Sequence, residues 1–167
     1  MSRFAGPQRV ALALIAIVIV ADQISKAWLY DYLVQSGRQA IVVLPFFNLV
    51  TVWNHGVSFG MFNSGSGATS WAFVGLALAI VAALAVWVIR AERMLPAVAL
   101  GLVIGGAIGN VIDRVRLGAV FDFLDVHAAG WHWPAFNVAD SAITIGVALL
   151  LLDSLFGGAG QSKKTTS

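Results

Sequence analysis

Two aspartates in the second half of the chain stand in strongly apolar surroundings. Asp140 follows the segment FNVA and opens directly into the apolar run SAITIGVALLLL. Asp122 is flanked on both sides by phenylalanine, in the segment VFDFL. An ionisable side chain in or beside such a segment is energetically costly, and it usually marks a functional site that contains a partner for it. Asp122 and Asp140 are therefore the first candidates for chemistry.

A pair of carboxyl groups in an apolar setting has a characteristic reactivity. Both groups cannot ionise cheaply, so the pair tends to share one proton. The protonated member can then act as an acid while the ionised member acts as a base toward a water molecule between them, which is the chemistry of peptide hydrolysis. The sequence places no serine or cysteine nucleophile beside a base in a comparable setting, and it contains no HExxH zinc motif.

The composition limits the class of protein. Of the 167 residues, 59% are hydrophobic and 11% are charged, and the mean hydropathy is +0.87. These values predict an integral membrane protein, with residues 1–167 forming a single membrane domain. The ten basic residues are dispersed along the chain, which argues against nucleic acid as a partner. The absence of cysteine excludes disulfides and thiolate chemistry. We expect neither a metal nor a cofactor.

The order of apolar and polar segments predicts a mainly α-helical fold. Four apolar runs are each close to the ~20 residues that a bilayer core requires, and they predict transmembrane helices at about residues 10–29, 71–89, 95–112 and 135–156. The first run leads into Asp22 without a small-residue cleavage site, so we expect it to remain as a helix rather than to be removed as a signal peptide.

Between helices 1 and 2 the pattern changes from helical to strand-like. The segment IVVLPFFNLVTVWN is rich in β-branched and aromatic residues that alternate between two faces. It predicts a small β-rich region of one or two short strands outside the bilayer, interrupted near Pro45. The following GVSFGMF is expected to be an interfacial segment and SGSGATS a flexible connector, and residues 157–167 are expected to form a polar tail.

Basic residues give the expected orientation. Pairs of basic residues near both ends of the chain, and Arg90 with Arg93 between helices 2 and 3, fall on one side of a four-helix arrangement. The positive-inside rule makes that side the cytoplasm, with both termini inside and loops 31–70 and 113–134 outside. Arg114 and Arg116 oppose the rule, which indicates local pairing or contact with membrane phospholipid.

The polar residues of different helices lie at one predicted depth. At ~1.5 Å per helical residue, Asp22 of helix 1 and Asn110 and Asp113 of helix 3 reach the outer interface, where helix 4 begins with Asn137 and Asp140. Asp122 is expected in the loop beside them. Helix 3 also carries glycines at a spacing of four, which predicts a face for close helix packing; these are Gly101, Gly105 and Gly109.

Several of these residues have simpler explanations. Asp22 and Lys26 could form only an i,i+4 ion pair at a helix end, and Asp113 with Arg114 could be a solvated helix terminus. Asp125, His127 and His132 match no compact metal motif and are expected on the loop surface. Asp153 is expected to be interfacial near the inner end of helix 4.

Five segments resemble the signature blocks of bacterial lipoprotein signal peptidase, also called signal peptidase II: ADQISK, NHGVSFG, GNVIDRV, VFDF and FNVADSAI. They occur in the same order as in that family, and the resemblance extends over the whole chain. The resemblance implies a membrane aspartic endopeptidase with Asp122 and Asp140 as its catalytic residues. It also implies that further motif residues build or support the site: Asp22, Asn54, Gly56, Asn110, Asp113, Arg114, Asn137 and Ala139.

The resemblance further implies a substrate and an inhibitor. The substrate is a prolipoprotein whose cysteine carries diacylglycerol, and the enzyme cuts immediately before that cysteine. The cyclic peptide globomycin is the typical inhibitor of the family. His55 and Ser58 stand where other members often have different residues. We expect a multi-pass protein of the bacterial inner membrane that acts as a monomer.

Three other functions are compatible with intramembrane acids. A proton-coupled transporter would need a polar path that continues inward, yet helices 2 and 3 carry no ionisable residue in their inner halves. A metal-dependent hydrolase would use Asp122, Asp125 and the two histidines that follow, and strong chelators would inhibit it. A non-catalytic assembly factor would tolerate loss of either Asp122 or Asp140.

Overall fold

Four long helices form the body of the protein. The structure is a computed structural model that describes residues 6–56 and 68–156. Helix α1 (Gly6–Leu29) continues as a π-helical segment, Tyr30–Gln35, and the other helices are α2 (Ala68–Ile89), α3 (Met94–Leu117) and α4 (Val138–Phe156). All four are long and apolar enough to cross a membrane. The predicted four-helix membrane fold is confirmed. The expected interfacial segment 56–62 apart from Gly56, most of the expected connector 64–70 and the expected polar tail 157–167 lie outside the described residues.

Helix α3 is the centre of the bundle. In its most apolar window 61% of the residues are buried, against 11–22% in the other three helices. Glycines on two faces of α3 allow this close packing. A Cβ atom at Gly105 would lie 2.8 Å from Val18 of α1, and one at Gly106 would lie 2.3 Å from the carbonyl oxygen of Ala139 of α4. The predicted glycine strip therefore packs on α1, and Gly106 adds a second contact face for α4.

A four-stranded antiparallel sheet covers one end of the bundle. Strands β1 (Ala40–Leu44) and β2 (Phe47–Asn54) form a hairpin whose turn lies at Pro45 and Phe46, where the sequence predicted an interruption. Strands β3 (Val120–Ala128) and β4 (Trp131–His132) extend the sheet in the order β1-β2-β3-β4. The segment that contains β3 and β4 is predicted to be a loop from the sequence, and this prediction is wrong. Its β-forming residues were recognisable, but their pairing partner lies about 70 residues earlier in the chain.

Two helix boundaries differ from the predicted ones. Helix α3 ends at Leu117 instead of 112, so that Asp113, Arg114 and Arg116 lie on its last turns. Gly118 ends the helix in the left-handed conformation, with φ 77°, and its N–H donates to the carbonyl of Arg114. Helix α4 begins at Val138 instead of 135, since Asn137 caps it. Charged residues that were read as the start of a loop are therefore held rigidly by helix geometry.

A small apolar core joins the sheet to the bundle. Leu29 and Leu33, at the end of α1 and in its π-helical extension, pack with Phe121 and Phe123 of β3, and all four are buried. Tyr30 and Trp53 add ring contacts to Phe121 at 6.3 and 5.3 Å. Because Phe121 and Phe123 point into this core, the residue between them must face the opposite side of the strand. That residue is Asp122.

Candidate active site

Asp122 lies on strand β3 and is only 1% exposed. This corrects its predicted position in a loop. Both of its carboxyl oxygens accept hydrogen bonds, one from the Asn137 amide at 2.7 Å and one from the Asn54 amide at 3.1 Å. Burial raises the pKa of Asp122 to about 6, and the negative charge of Asp140 acts in the same direction, against the opposing effect of the two amide donors. The side chain therefore keeps its proton to a higher pH than an ordinary aspartate does, up to about pH 6.

Asp140 lies in the first turn of α4 and forms a reciprocal cap with Asn137. The Asn137 side-chain oxygen accepts the backbone N–H of Asp140 at 2.9 Å, and an Asp140 oxygen accepts the backbone N–H of Asn137 at 3.2 Å. This is the arrangement of a helix capping box. The other Asp140 oxygen accepts the Asn110 amide at 2.7 Å. These two donors fix the position of the Asp140 carboxyl group at the start of α4.

Asn137 connects the two carboxyl groups. It is fully buried, its side-chain amide donates to Asp122, and its backbone N–H donates to Asp140. The predicted pair is thus brought together at the junction of β3 and α4, and it is held by one residue that contacts both. Asn110, whose oxygen accepts from the Asn137 amide at 3.3 Å, ties α3 to the same junction.

Asn54 and Gly56 form a supported turn at the end of β2. The Asn54 side-chain oxygen accepts the backbone N–H of Gly56 at 3.0 Å, which orients the amide nitrogen toward Asp122. Gly56 has φ 110°, and a Cβ atom there would lie 2.3 Å from a ring carbon of Phe73 in α2. Only glycine fits this backbone conformation and this contact. The two residues therefore act together at one edge of the site.

A buried ionic network supports the pair from the side of α1. Lys26 bonds to Asp22 at 2.8 Å and to Asp113 at 2.9 Å, and all three side chains are at least 94% buried. Asp22 also accepts the backbone N–H of Ala139 at 3.0 Å, and Asp113 accepts the backbone N–H of Phe121 at 3.2 Å. The network thereby fixes the backbone beside each candidate catalytic aspartate. The i,i+4 ion pair of Asp22 and Lys26 is present, but it is part of this larger network. The alternative of a solvated terminus at Asp113 is wrong, because Asp113 is buried.

Ala139 packs closely against two glycines of α3, Gly106 and Gly109. It is fully buried, and its carbonyl oxygen packs where a Cβ atom of Gly106 would be. The Ala139 side chain and the Asp22 carboxylate both lie where a Cβ of Gly109 would be, at 3.3 and 2.7 Å. A larger residue at 139 would push α4 away from α3, and Asp140 would move with it.

Arg114 brings a positive charge to the site. Its guanidinium lies over the Phe73 ring at 5.4 Å, and its positive charge interacts with Asp140, Asp122 and Asp113. The buried Nε atom has no hydrogen-bond partner among the described residues. An arginine with an unused donor beside two carboxyl groups is suited to bind a substrate carbonyl or a developing negative charge.

Two residues of the supporting network were missed as site residues, Lys26 and Gln23. The Gln23 amide donates to Asp22 at 3.1 Å and to Asp113 at 3.0 Å, and the ammonium of Lys26 also contacts Asn110 at 3.2 Å. The i,i+4 spacing of Asp22 and Lys26 was visible in the sequence. What the spacing could not reveal is that α3 supplies the second carboxylate.

Asp125 and the two histidines are on strands rather than on a loop surface. Asp125 is buried and accepts from Asn48 at 2.8 Å and from His132 at 2.8 Å, while the His127 and His132 rings stack at 4.7 Å. Burial would raise the pKa of Asp125, but the hydrogen bonds from His132 and Asn48 outweigh it and lower the pKa. No group of three histidine or acidic side chains within 6–56 and 68–156 is arranged to hold a metal. The prediction of an exposed loop here was wrong for Asp125.

Comparison with known proteins identifies the family. Residues 14–156 match the family model described as signal peptidase (SPase) II. The chain belongs to the signal peptidase II family. A lipoprotein signal peptidase of Methylorubrum extorquens (strain PA1) is 50% identical over 144 residues, covering 86% of this chain and 84% of the relative. One of Methylobacterium sp. (strain 4-46) is 45% identical over 153 residues, covering 92% and 93%.

Solved structures agree with this family. A bacterial membrane enzyme determined by the in meso method at 2.3 Å resolution has a TM-score of 0.76 and 30% identity, and the match covers 94% of each chain. The resemblance stated from the five sequence blocks is confirmed. The chain is a peptidase of the signal peptidase II type, which cleaves the signal peptides of lipoproteins in a membrane. The transporter and assembly-factor alternatives are set aside by this membership.

Proposed function

We propose that Asp122 and Asp140 are the catalytic pair of this aspartic endopeptidase, and that they cleave a diacylglyceryl-modified prolipoprotein immediately before its lipidated cysteine. The observation that carries the assignment is that Asn137 holds both carboxyl groups at one place, one through its side chain and one through its backbone. Asp122 holds the shared proton, because burial raises its pKa to about 6. Asp140 serves as the base.

The reaction then proceeds through a water molecule between the two carboxyl groups. Asp140 takes a proton from this water as its oxygen attacks the scissile carbonyl carbon, and Asp122 gives its proton to the carbonyl oxygen. The tetrahedral intermediate collapses when the amide nitrogen receives the proton held by Asp140 and the carbon–nitrogen bond breaks. One hydroxyl group of the intermediate returns its proton to Asp122 as the new carboxyl group forms. Arg114 and Asn54 lie at the edge of the pair, where they can bind the peptide and the developing charge.

The depth of the pair fits a lipid-anchored substrate. A diacylated cysteine keeps its peptide bond near the lipid head groups, and the ends of α1 and α3 with the start of α4 carry the site at one level. The basic turn between α2 and α3 lies at the other end of the bundle. By the positive-inside rule this turn faces the cytoplasm of a bacterial inner membrane, and the site and the sheet face outward. The supporting residues act within a single copy of the chain, in contact with membrane phospholipid.

The decisive experiment replaces each aspartate by asparagine. Asparagine keeps the shape but can neither act as a base nor exchange a proton, so Asp122→Asn and Asp140→Asn should each abolish cleavage of lipidated preprolipoprotein by purified protein in detergent. Since the two act as one unit, the double variant should be scarcely slower than either single variant. The pH profile of kcat/KM should be bell-shaped, with limbs that belong to the pair.

The matched control is Asp125→Asn. This residue is a buried aspartate of the same strand, but its partners are His132 and Asn48. It should keep most of the activity. Protein amount, membrane insertion and thermal stability are measured for every variant. Substantial cleavage by either Asp122→Asn or Asp140→Asn at normal protein levels would rule out the pair as the catalytic group.

A further inference from the structure

A cavity lies beside the supporting network of Asp22, Lys26 and Asp113. It has a volume of about 270 Å³ and opens between the ends of α1 and α3 and strand β3. None of the residues that hydrogen-bond directly to Asp122 or Asp140 lines it. Its lining residues are Gln23, Lys26, Tyr30, Asp31, Arg116 and Phe121, together with Asp113 and two apolar side chains. The catalytic proposal leaves this cavity without a role.

The buried ionic network forms part of the cavity wall. Lys26 and Asp113 line the cavity, and the ammonium group of Lys26 is shared between Asp113 and Asp22, at 2.9 and 2.8 Å. The positive charge of Arg114 also acts on Asp113. The charges of the wall are therefore engaged with one another, and a ligand would meet the charges of the rim first.

The rim has one charge of each sign. Arg116 is exposed, and its guanidinium donates to the Gln23 side-chain oxygen at 3.3 Å, its one hydrogen bond within residues 6–56 and 68–156. Asp31 is exposed on the α1 side of the opening, where it accepts from Gln35. A ligand with a phosphodiester for Arg116 and an ammonium for Asp31 would match both charges, and a ligand with only one charge would leave the other unmatched.

The walls and the position of the cavity point to a lipid. Leu117 is 51% exposed beside the opening, and Tyr30 is 37% exposed with its ring held edge-on to Phe121 at 6.3 Å. Amphipathic aromatic side chains of this kind concentrate at the level of lipid head groups. The opening lies at the ends of two helices that are long enough to span a membrane. Head groups are therefore the most abundant zwitterions in its surroundings.

We propose that this cavity binds the head group of a phospholipid that carries both a phosphodiester and a primary ammonium, as in phosphatidylethanolamine. The phosphodiester lies against Arg116, the ammonium lies against Asp31, and the glycerol lies on Leu117 and Tyr30. Such a lipid would pack directly against the network that holds the backbone of Phe121 and Ala139. The site is independent of the catalytic assignment, because none of the proposed catalytic residues takes part.

Native mass spectrometry of delipidated protein, titrated with single lipids in detergent, tests the proposal. We compare dioleoyl-phosphatidylethanolamine, dioleoyl-phosphatidylcholine, dioleoyl-phosphatidylglycerol and soluble phosphoethanolamine. Phosphatidylethanolamine should bind as one tightly held copy. Arg116→Gln and Asp31→Asn should each weaken its binding by about tenfold, since each removes a charge-assisted hydrogen bond.

The matched controls are Arg90→Gln and Glu92→Gln, which remove the same charges from exposed positions in the turn between α2 and α3. They should bind the lipid like the unmodified protein. Equal binding of the three lipids, or equal losses in the test and control variants, would overturn the proposal. Tighter binding of phosphatidylglycerol would show an anionic-lipid site instead, and equally tight binding of phosphoethanolamine would show a soluble ligand instead.

Discussion

Asp122 illustrates how one buried side chain combines a functional and an energetic effect. The carboxyl group is 1% exposed, and burial raises its pKa to about 6 from an ordinary value of 3.8. The folded protein therefore holds a proton on Asp122 between these two pH values, where the unfolded chain has released it. The contribution of Asp122 to the free energy of unfolding is fully present below pH 3.8, and it is lost as the pH rises through about 6.

This pH dependence of stability can be measured by comparing the native protein with Asp122→Asn. Between pH 4 and pH 7 the free energy of unfolding of the native protein should fall relative to that of Asp122→Asn by up to about 3 kcal/mol. Asp125, whose pKa is lowered, contributes stability that is lost as the pH falls through its folded-state pKa, but it does so equally in both proteins. Denaturant titrations in detergent at several pH values give the difference. A constant difference across this range would show that Asp122 is ionised throughout in the folded protein.

Asn137 has two roles that substitutions can separate. Its side-chain oxygen caps α4, and its amide nitrogen donates to Asp122. Asn137→Ala should lose about 1 kcal/mol of stability with the cap. Asn137→Ser should keep the cap and most of that stability, because serine is an equally good capping residue, but its shorter side chain does not supply the amide donor.

Both Asn137 variants should nevertheless cleave lipidated preprolipoprotein at least roughly a hundredfold more slowly, since the acid and base lose their alignment. Thermal unfolding and single-turnover cleavage are measured on the same preparations. Normal cleavage by Asn137→Ser would assign Asn137 to helix capping alone.

The helix α3 determines where the site residues of the other helices can lie. Gly106 faces α4, and a Cβ atom there would lie 2.3 Å from the backbone carbonyl oxygen of Ala139, next to Asp140 in the chain. A backbone atom cannot rotate away as the end of a flexible side chain can. The distance between α3 and α4, and hence the hydrogen bond between Asn110 and Asp140, depends on the absence of a side chain at 106.

Gly106→Ala should therefore lower the stability by about 1–3 kcal/mol and reduce cleavage, because it separates the two helices near the catalytic pair. Gly75→Ala is the matched control, since a Cβ atom at Gly75 of α2 meets nothing within 4 Å. That variant should unfold at the same temperature as the native protein or slightly above it, given the higher helix propensity of alanine. Thermal unfolding in detergent, followed by tryptophan fluorescence, compares the two. Equal effects of both substitutions would show that helix packing at Gly106 is not tight.

The whole bundle is polarised along its long axis. The buried polar residues and the sheet lie at one end, while the turn between α2 and α3, with Arg90 and Arg93, lies at the other. Arg93 forms a bidentate salt bridge with Asp153 of α4, which agrees with the predicted interfacial position of Asp153. The two ends should therefore face different compartments.

Orientation is tested with single cysteines, since the chain has none of its own. Gln39 and Glu92 are both exposed, the first just before β1 and the second in the turn between α2 and α3. Gln39→Cys should react with an impermeant thiol reagent added to intact spheroplasts, and Glu92→Cys should react only after the membrane is permeabilised. The reverse labelling pattern would invert the proposed topology.

Local sequence patterns were enough to predict four membrane helices, one or two short strands interrupted near Pro45, and Asp122 and Asp140 as the first candidates for chemistry. These features depend on local properties of the sequence: apolar runs long enough to cross a membrane, an alternating pattern interrupted near Pro45, and acidic residues flanked by apolar ones. The glycine spacing of α3 also predicted a packing face correctly. The family motifs added residues such as Asn54 and Asn110, whose contacts with the pair are not visible in any local pattern.

How these parts meet depends on contacts between segments that are far apart in the sequence. The strand that carries Asp122 was read as a loop, because a strand is defined by a partner and β2 lies far away in the sequence. The predicted end of α3 was wrong for a related reason. In the sequence alone Asp113 and Arg114 resemble solvated loop residues, because their contacts with Lys26 and Phe73 form only in the folded protein. Burial and charge pairing are properties of assembled elements, and so Lys26, Gln23 and the cavity beside them emerged only when the helices were in place.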